Sequence, residues 1–433
     1  MAEEKDLVTT RHALYADLET MRSIIRDVRT GTLALRRGRG TYLPRFPEEL
    51  ESTYETRAKC STLFNVYAKT EDIMTGLVFQ EEIQLGADVP PVIKTLCENI
   101  DNRGNHLNVF ARNTLLNLFD GAAVIMIDAP DFRNVRSLED ERRLAIRPYW
   151  VNYTASDVIN WQTRINAVSK SIELALIVFR ETTSELTGRF IAQNVTRYRV
   201  LYLDENDRVA WEVWRVVKER KNLTPETVRE NTGVFEKLTR IPVAIIGELE
   251  AAPPLLDLAL LNIKHFQKES NFDNLENQAA VPLFYTKGLH QAEGGAMTVG
   301  ADIHYQLSET GEIGWAQIDA SGFESMRASL DKLVEQMSML GLAMLADKTA
   351  QVDVTATEVL LNSIGETAEL KVMAESLKDG IELALGFTAE YLGMGADAGG
   401  QIELGAAWNK TEVVADVTAP GNAARVEAEQ MIN

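Results

Sequence analysis

The segment from Leu255 to Met394 constrains the fold most, because it predicts a long helix, a strand-rich insert, a second long helix, a polar loop and a third helix. The first helical pattern repeats apolar residues three or four positions apart, a spacing that only a helix brings to one face. These residues are Leu256, Leu260, Ile263 and Phe266. The second pattern covers about 24 residues, or about 36 Å of helix. Its apolar stripe is Phe323, Met326, Leu330, Leu333, Met337 and Leu340, with Glu324, Arg327, Asp331 and Glu335 elsewhere. This order is more typical of a ring-forming channel than of an enzyme.

The insert between the two long helices contains three candidate strands with Gly-rich connections. About 40 residues are too few to bury an independent core. Unpaired strand edges are also a liability in isolation. We therefore expect neighbouring copies of the chain to stabilise this unit.

A polar, β-branched stretch after the second helix predicts a loop from Asp347 to Val354. Thr355 and Glu358 match the capping box that starts a helix. The third helix that follows is long, with Gly365, Gly380 and Gly386 as weak points. It ends at GMGADAGG, and IELGAAWNKTEVVA predicts a final strand before a polar tail.

The first 254 residues combine helical patterns with a mostly antiparallel β region, which places the chain in the α+β class. The helical patterns cover 12–29, 48–75 and 105–119, a further one starts at Pro90 and Pro91, and a Gly- and Arg-rich loop is predicted at 29–47. The continuous apolar run AAVIMIDAP predicts a buried strand. Later strands include a hairpin whose turn runs from Asp204 to Asp207. Pro253 and Pro254 then break the chain before the first long helix.

Composition excludes several classes of protein. A formal charge of −20 over 433 residues argues against a globally basic surface that wraps nucleic acid, although not against a surface that DNA slides past. Cys60 and Cys97 lie in apolar helical contexts and are predicted to be buried free thiols. The sequence has no apolar run long enough to cross a bilayer, and its charged N-terminus differs from a signal peptide. We therefore expect a chain that is cytosolic where it is made.

The sequence predicts no catalytic, cofactor-binding or metal site. Asp128 follows an apolar strand as in nucleotide hydrolases, but no G-x-x-x-x-G-K-[ST] loop accompanies it, so it is interpreted as a strand-end residue. GMGADAGG follows a helix and precedes a strand, which is the reverse of a dinucleotide-binding turn. The five histidines are dispersed: His12, His106, His265, His290 and His304. An enzyme with an unfamiliar site therefore remains only as an alternative.

One local basic cluster, Arg36, Arg37 and Arg39, lies beside Tyr42. Guanidinium groups in such a cluster suit contact with phosphate. A solvated loop or a salt-bridge patch between subunits explains the same residues.

Several segments together resemble the portal proteins of tailed bacteriophages. They are TYLPRFPEE, MTGLVFQ, GAAVIMIDAP, RPYWVNYTASDVINW and LLDLALLNIKHFQKESNF, and the similarity spans most of Tyr42 to Gly393. The ordered set carries the resemblance, since no single motif is diagnostic.

The resemblance implies a portal fold assembled as a ring, typically of twelve subunits. Its parts would be a wing (1–254), a first stem helix (255–279), a clip (280–321), a second stem helix (322–346), a tunnel loop (347–356), a helix leading to a short crown (357–395), and a C-terminal strand returning to the wing with a polar tail (396–433). Such a ring occupies one capsid vertex of the virion and passes DNA during packaging and ejection. The implied partners are the major capsid protein, the large subunit of the terminase motor, a head-to-tail adaptor and double-stranded DNA bound without sequence specificity. No cofactor and no membrane are implied.

The resemblance also assigns candidate residues. The tunnel loop would present Asp347, Lys348, Thr349, Gln351, Asp353 and Thr355 to DNA. Lys348 is its only basic residue, so we expect passive guidance and not a strong grip. The clip would present Phe284, Tyr285, Lys287, His304, Tyr305 and Trp315, although several of these side chains also suit the clip's own small core. The alternative from another class is a different head or connector protein, or a non-viral ring scaffold, whose helices pack as an ordinary α+β core.

Overall fold

Strand β2 (Ala122–Asp128) is buried along its whole length and lies at the centre of the fold. A computed structural model describes residues 7–129, 147–166, 170–218, 226–235, 237–280, 283–287, 311–316, 322–341 and 356–404. It mixes helices with antiparallel sheets, so the predicted α+β class is confirmed. The continuous apolar run of β2 reflects burial on both faces.

β2 is the middle strand of a three-stranded antiparallel sheet, between β3 (Tyr149–Thr154) and β9 (Val243–Gly247). Side chains alternate along a strand. Ala123, Ile125 and Ile127 therefore join the core formed with the helices, whereas the residues between them join a second core.

That second core lies between the small sheet and a five-stranded antiparallel sheet in the order β4-β5-β6-β7-β8. Its strands are β4 (Val158–Ile165), β5 (Ile172–Leu186), β6 (Ala192–Leu203), β7 (Val209–Lys218) and β8 (Glu226–Val234). The predicted turn between β6 and β7 is confirmed, because the Asp207 N–H donates to the Asp204 carbonyl at 3.0 Å. The described fold thus has a helical layer, a small sheet and a larger sheet.

The helices are α1 (Tyr15–Thr30), α2 (Thr32–Gly38), α3 (Glu51–Cys60), α4 (Val66–Val78), α5 (Pro91–Cys97), α6 (Leu107–Leu118), α7 (Leu256–Ala279), α8 (Phe323–Leu340) and α9 (Ala356–Tyr391). Two short 3₁₀ helices, Arg39–Thr41 and Ala396–Gly399, and two short ladders complete the described elements. β1 (Gln84–Leu85) pairs with β12 (Ile402–Glu403), and β10 (Leu283–Lys287) pairs with β11 (Glu312–Ala316).

A buried ionic cluster fixes α1 against the rest of the fold. Arg22 is fully buried and donates to three backbone carbonyls, those of Asp120 (3.2 Å), Ala155 (3.2 Å) and Leu249 (2.8 Å). Arg29 pairs with the buried carboxylates of Glu71 (2.5 Å) and Asp120 (3.2 Å).

The two partners in this cluster respond to burial differently. Burial lowers the pKa of Arg29, but the two carboxylates more than offset it. Burial raises the pKa of Glu71 to about 7, although Arg29 opposes that rise. Burial prevails at Glu71 because one guanidinium is shared between two buried carboxylates.

Three local predictions for the N-terminal region are wrong. The predicted helix over 48–75 is two helices, because Asn65 caps α4: its side chain accepts from the Ala68 N–H (3.0 Å) and donates to the Val28 carbonyl (2.8 Å). The predicted loop at 29–47 contains α2. Cys60 is exposed, contrary to expectation, whereas Cys97 is buried as expected, and burial raises its pKa to about 12.

The third long helix is continuous through its three glycines. Gly380 allows close packing, since an added Cβ would overlap the side chain of Ile246 in β9. The helix ends where predicted, with Gly393 at φ +78°. Of the predicted final strand the structure describes residues 402–404, of which Ile402 and Glu403 form a strand, and residues from 405 onward lie outside the described residues.

Candidate subunit interface

Helices α7 and α8 lie against each other and connect to the β10–β11 hairpin. Phe272 and Phe323 make an edge-to-face contact with 5.8 Å between ring centroids, and Arg327 pairs with Glu276 at 2.9 Å. Farther along, Lys268 Nζ donates to Ser329 Oγ at 2.6 Å. The pair is thus joined by apolar, ionic and hydrogen-bonded contacts.

Helix α7 is buried on more than one side. The side chain of Asn262 accepts from the Tyr67 N–H (3.0 Å) and donates to the Phe64 carbonyl (2.7 Å), while Ser61 and Ser270 share a 2.6 Å hydrogen bond. Leu260, predicted on the apolar stripe, is 44% exposed, because the buried positions form a broad face of the helix and Leu260 lies on the side opposite to it. Packing of this kind suits a core helix as well as a channel wall.

Helix α8 packs on one side only. Leu333 and Met337 are buried, and the charged positions Glu324, Arg327, Asp331 and Glu335 are exposed as predicted. Leu340 is 46% exposed and Met339 57%, so Leu340 leaves the predicted stripe. The outward face of α8 therefore has room for another chain.

The hairpin has its predicted strands at both ends of the insert. Phe284 lies opposite Trp315 in the backbone register. The Tyr285 hydroxyl donates to Glu312 at 2.8 Å, which raises the pKa of Tyr285. Trp315 is 58% exposed, Tyr285 39%, and Lys287 is exposed. His304 and Tyr305 lie outside the described residues, so the predicted clip surface is only partly visible.

The predicted tunnel loop also lies outside the described residues. These are Asp347, Lys348, Thr349, Gln351, Asp353 and Thr355. Helix α8 ends before them at Leu340, where the Gly341 N–H donates to the Met337 carbonyl at 2.7 Å. Their contact with DNA stays a prediction.

The basic cluster is engaged within the chain. Arg36 donates to the carbonyls of Ser61 (2.8 Å) and Cys60 (3.2 Å), and so caps the C-terminus of α3. Arg37 donates to the Leu33 carbonyl (3.2 Å), and Arg39 pairs with Glu55 (3.2 Å). These intrachain contacts favour a structural role over phosphate binding, and salt bridges between subunits are not needed to explain them.

Acidic groups outnumber basic ones on the two helices. α7 carries four carboxylates and two lysines, and α8 carries three carboxylates, one arginine and one lysine. Burial, together with Glu269 and Glu276, raises the pKa of Asp273. Such a surface repels phosphate more than it binds it.

A cavity of about 320 Å³ lies between α3 and α7. Its lining includes Cys60, Ser61, Ser270 and Asp273 but no histidine that could activate a nucleophile. Arg57 at its wall is paired with Glu49 at 2.7 Å. The residues that line the cavity therefore form no catalytic set.

A polar cluster at the junction of the two sheets was missed by sequence reasoning. Arg199 pairs with Asp128 (2.8 Å) and Glu181 (2.7 Å), and the Tyr149 hydroxyl donates to Asp128 (3.0 Å). Asp128 is thus a strand-end residue, as interpreted, and it ties the sheets together. Within the described ranges, no three metal-ligating side chains converge and no helix is long and apolar enough to cross a membrane.

Comparison with known proteins adds three findings. Residues 254–392, which hold α7 to α9, match a family model described as a domain of unknown function, DUF4055. No curated protein matches the chain. Among solved structures, the virion of a native gene transfer agent (GTA) particle contains a similar chain, with 12% identity, a TM-score of 0.41 and coverage of 91% of this chain and 94% of that one. The neck of an empty GTA particle contains another, with 10% identity, a TM-score of 0.39 and coverage of 90% and 94%.

Proposed function

We propose that this chain is the subunit of a portal-type ring, which forms the DNA channel at one vertex of a tailed-phage-like head. The ring would pass double-stranded DNA during packaging and ejection. It would dock the terminase large subunit transiently and a head-to-tail adaptor later, within a shell of major capsid protein. The proposal rests on the ordered sequence resemblance from Tyr42 to Gly393.

The single structural observation that supports it best is the one-sided packing of α8. Its inward face meets α7, whereas its outward face is exposed over 18 residues and ends in Met339 and Leu340. Exposed apolar side chains on a long helix suit an interface with a second chain. In the ring, α7 and α8 would be the stem helices and the hairpin part of the clip.

The excess of carboxylates on these helices is also consistent with the wall of a DNA channel. DNA that must slide needs a wall that does not neutralise many phosphates. The proposal also assigns a wing at 1–254, a tunnel loop and a crown to this chain. It further includes a ring of twelve subunits and a location in the virion.

Mass and imaging test the proposal. A twelve-subunit ring of 48.2 kDa chains has a mass of about 580 kDa, which mass photometry and negative-stain microscopy would detect. We expect Met339→Glu to shift the mass toward small species, because the carboxylate would be placed in the interface. Val109→Glu is the matched control, since Val109 is 47% exposed on α6, away from α8. A folded chain that stays monomeric at high concentration, with no ring in particles, would reject the proposal.

A second candidate is another structural ring or connector protein of the head. The burial of α7 against the α3 and α4 region favours it, because an ordinary α+β core predicts such packing. Particles that lack the chain distinguish the two. Heads without their portal should remain empty of DNA, whereas heads without a later connector should fill and then lose it.

A further inference from the structure

The five-stranded sheet exposes apolar side chains at its two opposite ends. β5 runs from Ile172 to Leu186, so the β4–β5 hairpin lies at one end and the β5–β6 hairpin at the other. Both hairpins extend beyond the shared cores. The two ends differ in charge.

The first end, here called the Phe190 end, comprises Leu186, Phe190 and Ile191, which are 79%, 86% and 66% exposed. The hairpin turn is closed by hydrogen bonds between Gly188 and Ile191. The guanidinium of Arg189 lies over the Phe190 ring, 5.0 Å from its centroid. Among the described residues no carboxylate pairs with Arg189, so this end is apolar and positively charged.

The second end, here called the Ile172 end, comprises the cross-strand pair Ile165 and Ile172, which are 69% and 75% exposed. The β6–β7 turn lies beside this pair, because Arg164 and Asp207 form an ion pair of 2.6 Å. That turn also holds Glu205, which is exposed and pairs with no basic group in the described part of the chain. Lys170 is also exposed at this end, beside Ile172, so three basic groups (Arg164, Lys170, Arg208) face four acidic ones (Glu173, Asp204, Glu205, Asp207), and the end is apolar with a net charge of −1.

We infer that the Phe190 end of one copy docks on the Ile172 end of the next copy, an inference that rests on the proposed ring. Burying five large apolar side chains removes them from water, and Arg189 would meet Glu205. A two-fold pairing of Phe190 ends would instead place Arg189 against Arg189. Two different patches on one chain make a head-to-tail contact, which closes into a ring when the rotation allows.

Paired cysteines test the contact directly. In a Cys60→Ser background, Phe190→Cys combined with Ile172→Cys should give a ladder of disulfide-linked oligomers after mild oxidation, because a disulfide requires Cα atoms about 4.4–6.8 Å apart. Each single variant should give no ladder. Phe190→Cys with Val109→Cys is the matched control, since Val109 is exposed on α6.

Charge reversal provides a second measurement. Arg189→Glu should raise the concentration at which half of the chains assemble at least tenfold, and adding Glu205→Arg should recover most of the loss. Rings seen by microscopy without a disulfide ladder would overturn this contact and leave the proposed function standing. A strong dimer from Phe190→Cys alone would overturn it in favour of two-fold pairing. A paired variant and a native chain that are both monomeric would reject the contact and the ring together.

Discussion

Gly380→Ala tests how the longest helix is anchored to the central sheet. A Cβ at this position would overlap Cγ1 of Ile246 and lie 2.8 Å from its Cδ1. Ile246 is 1% exposed within β9, so its side chain has little space to move. Alanine favours a helix over glycine by about 1 kcal/mol, whereas overpacking a core costs about 1–3 kcal/mol. The overlap with Cγ1 is severe, so its cost should be about 2–3 kcal/mol, and after the helix gain we expect a net loss of about 1–2 kcal/mol.

Gly76→Ala is the matched control. Gly76 lies inside α4, and an added Cβ there meets nothing within 4 Å. The same chemical change should therefore raise the free energy of unfolding by about 1 kcal/mol. Calorimetry at equal chain concentration should show melting temperatures that move in opposite directions for the two variants.

A double-mutant cycle isolates the contact. Ile246→Ala costs stability by itself, about 2–5 kcal/mol, but it removes both overlapping atoms. In that background Gly380→Ala should become neutral or stabilising, which corresponds to a coupling energy of at least about 1 kcal/mol. The reasoning is refuted if Gly380→Ala raises the melting temperature as Gly76→Ala does, or if its effect is the same in both backgrounds.

Three further predictions concern buried groups. Arg22→Met should lower the free energy of unfolding by about 3–5 kcal/mol, because three buried carbonyls lose their donor. The control is Arg37→Met, at an exposed arginine with one local hydrogen bond, which should change the free energy of unfolding by less than about 0.5 kcal/mol. Denaturant titrations measure both. Because the folded chain keeps the Glu71 proton up to about pH 7 and the unfolded chain loses it near pH 4.5, stability should fall as the pH rises through that window and level off above it. Glu71→Gln should remove that part of the slope in melting curves between pH 5 and 8, and an unchanged slope would contradict the assignment. A thiol reagent should label one cysteine per native chain, Cys60, and two after denaturation, since Cys97 is buried; rapid labelling of both in the native chain would contradict the packing of α5.

Local sequence patterns predicted the elements whose stabilising contacts are local. The β6–β7 turn is encoded by residues next to each other, and the end of α9 follows from Gly393, whose positive φ suits glycine. The break before α4 was missed because Asn65 needs the Val28 carbonyl from another helix as well as its own cap. In the same way α2 was missed, since Arg36 joins it to the end of α3 across 24 residues. Helix boundaries that are fixed by a hydrogen bond to a residue far away in the chain leave little trace in the local pattern of apolar residues.

In the candidate interface, too, the sequence predicted a helix with one neighbour better than a helix with several. The sequence pattern predicted the inward stripe of α8 from Phe323 to Met337, because one helix neighbour gives a simple period. It failed for α7, where three or more neighbours bury several sides, and Leu260 was placed inside although it is exposed. The sequence did not predict that Phe190 and Ile191 are part of an exposed apolar surface, because apolar residues in a turn follow neither the helix period nor the strand period.

Charged residues are arranged differently on the larger sheet and on helices α7 and α8, and this difference affects how subunits of a ring would bind each other and DNA. On the larger sheet, several arginines are neutralised in place: Arg197 and Arg215 share the carboxylates of Glu185 and Glu230. On α7 and α8 carboxylates remain in excess. In the proposed ring, subunits would therefore be held by apolar contacts with few opposed charges, such as Arg189 with Glu205, while the stem would repel DNA. Binding between subunits and repulsion of DNA would then belong to different surfaces. Added salt would weaken the repulsion between the stem and DNA, but it would have little effect on the apolar contacts between subunits.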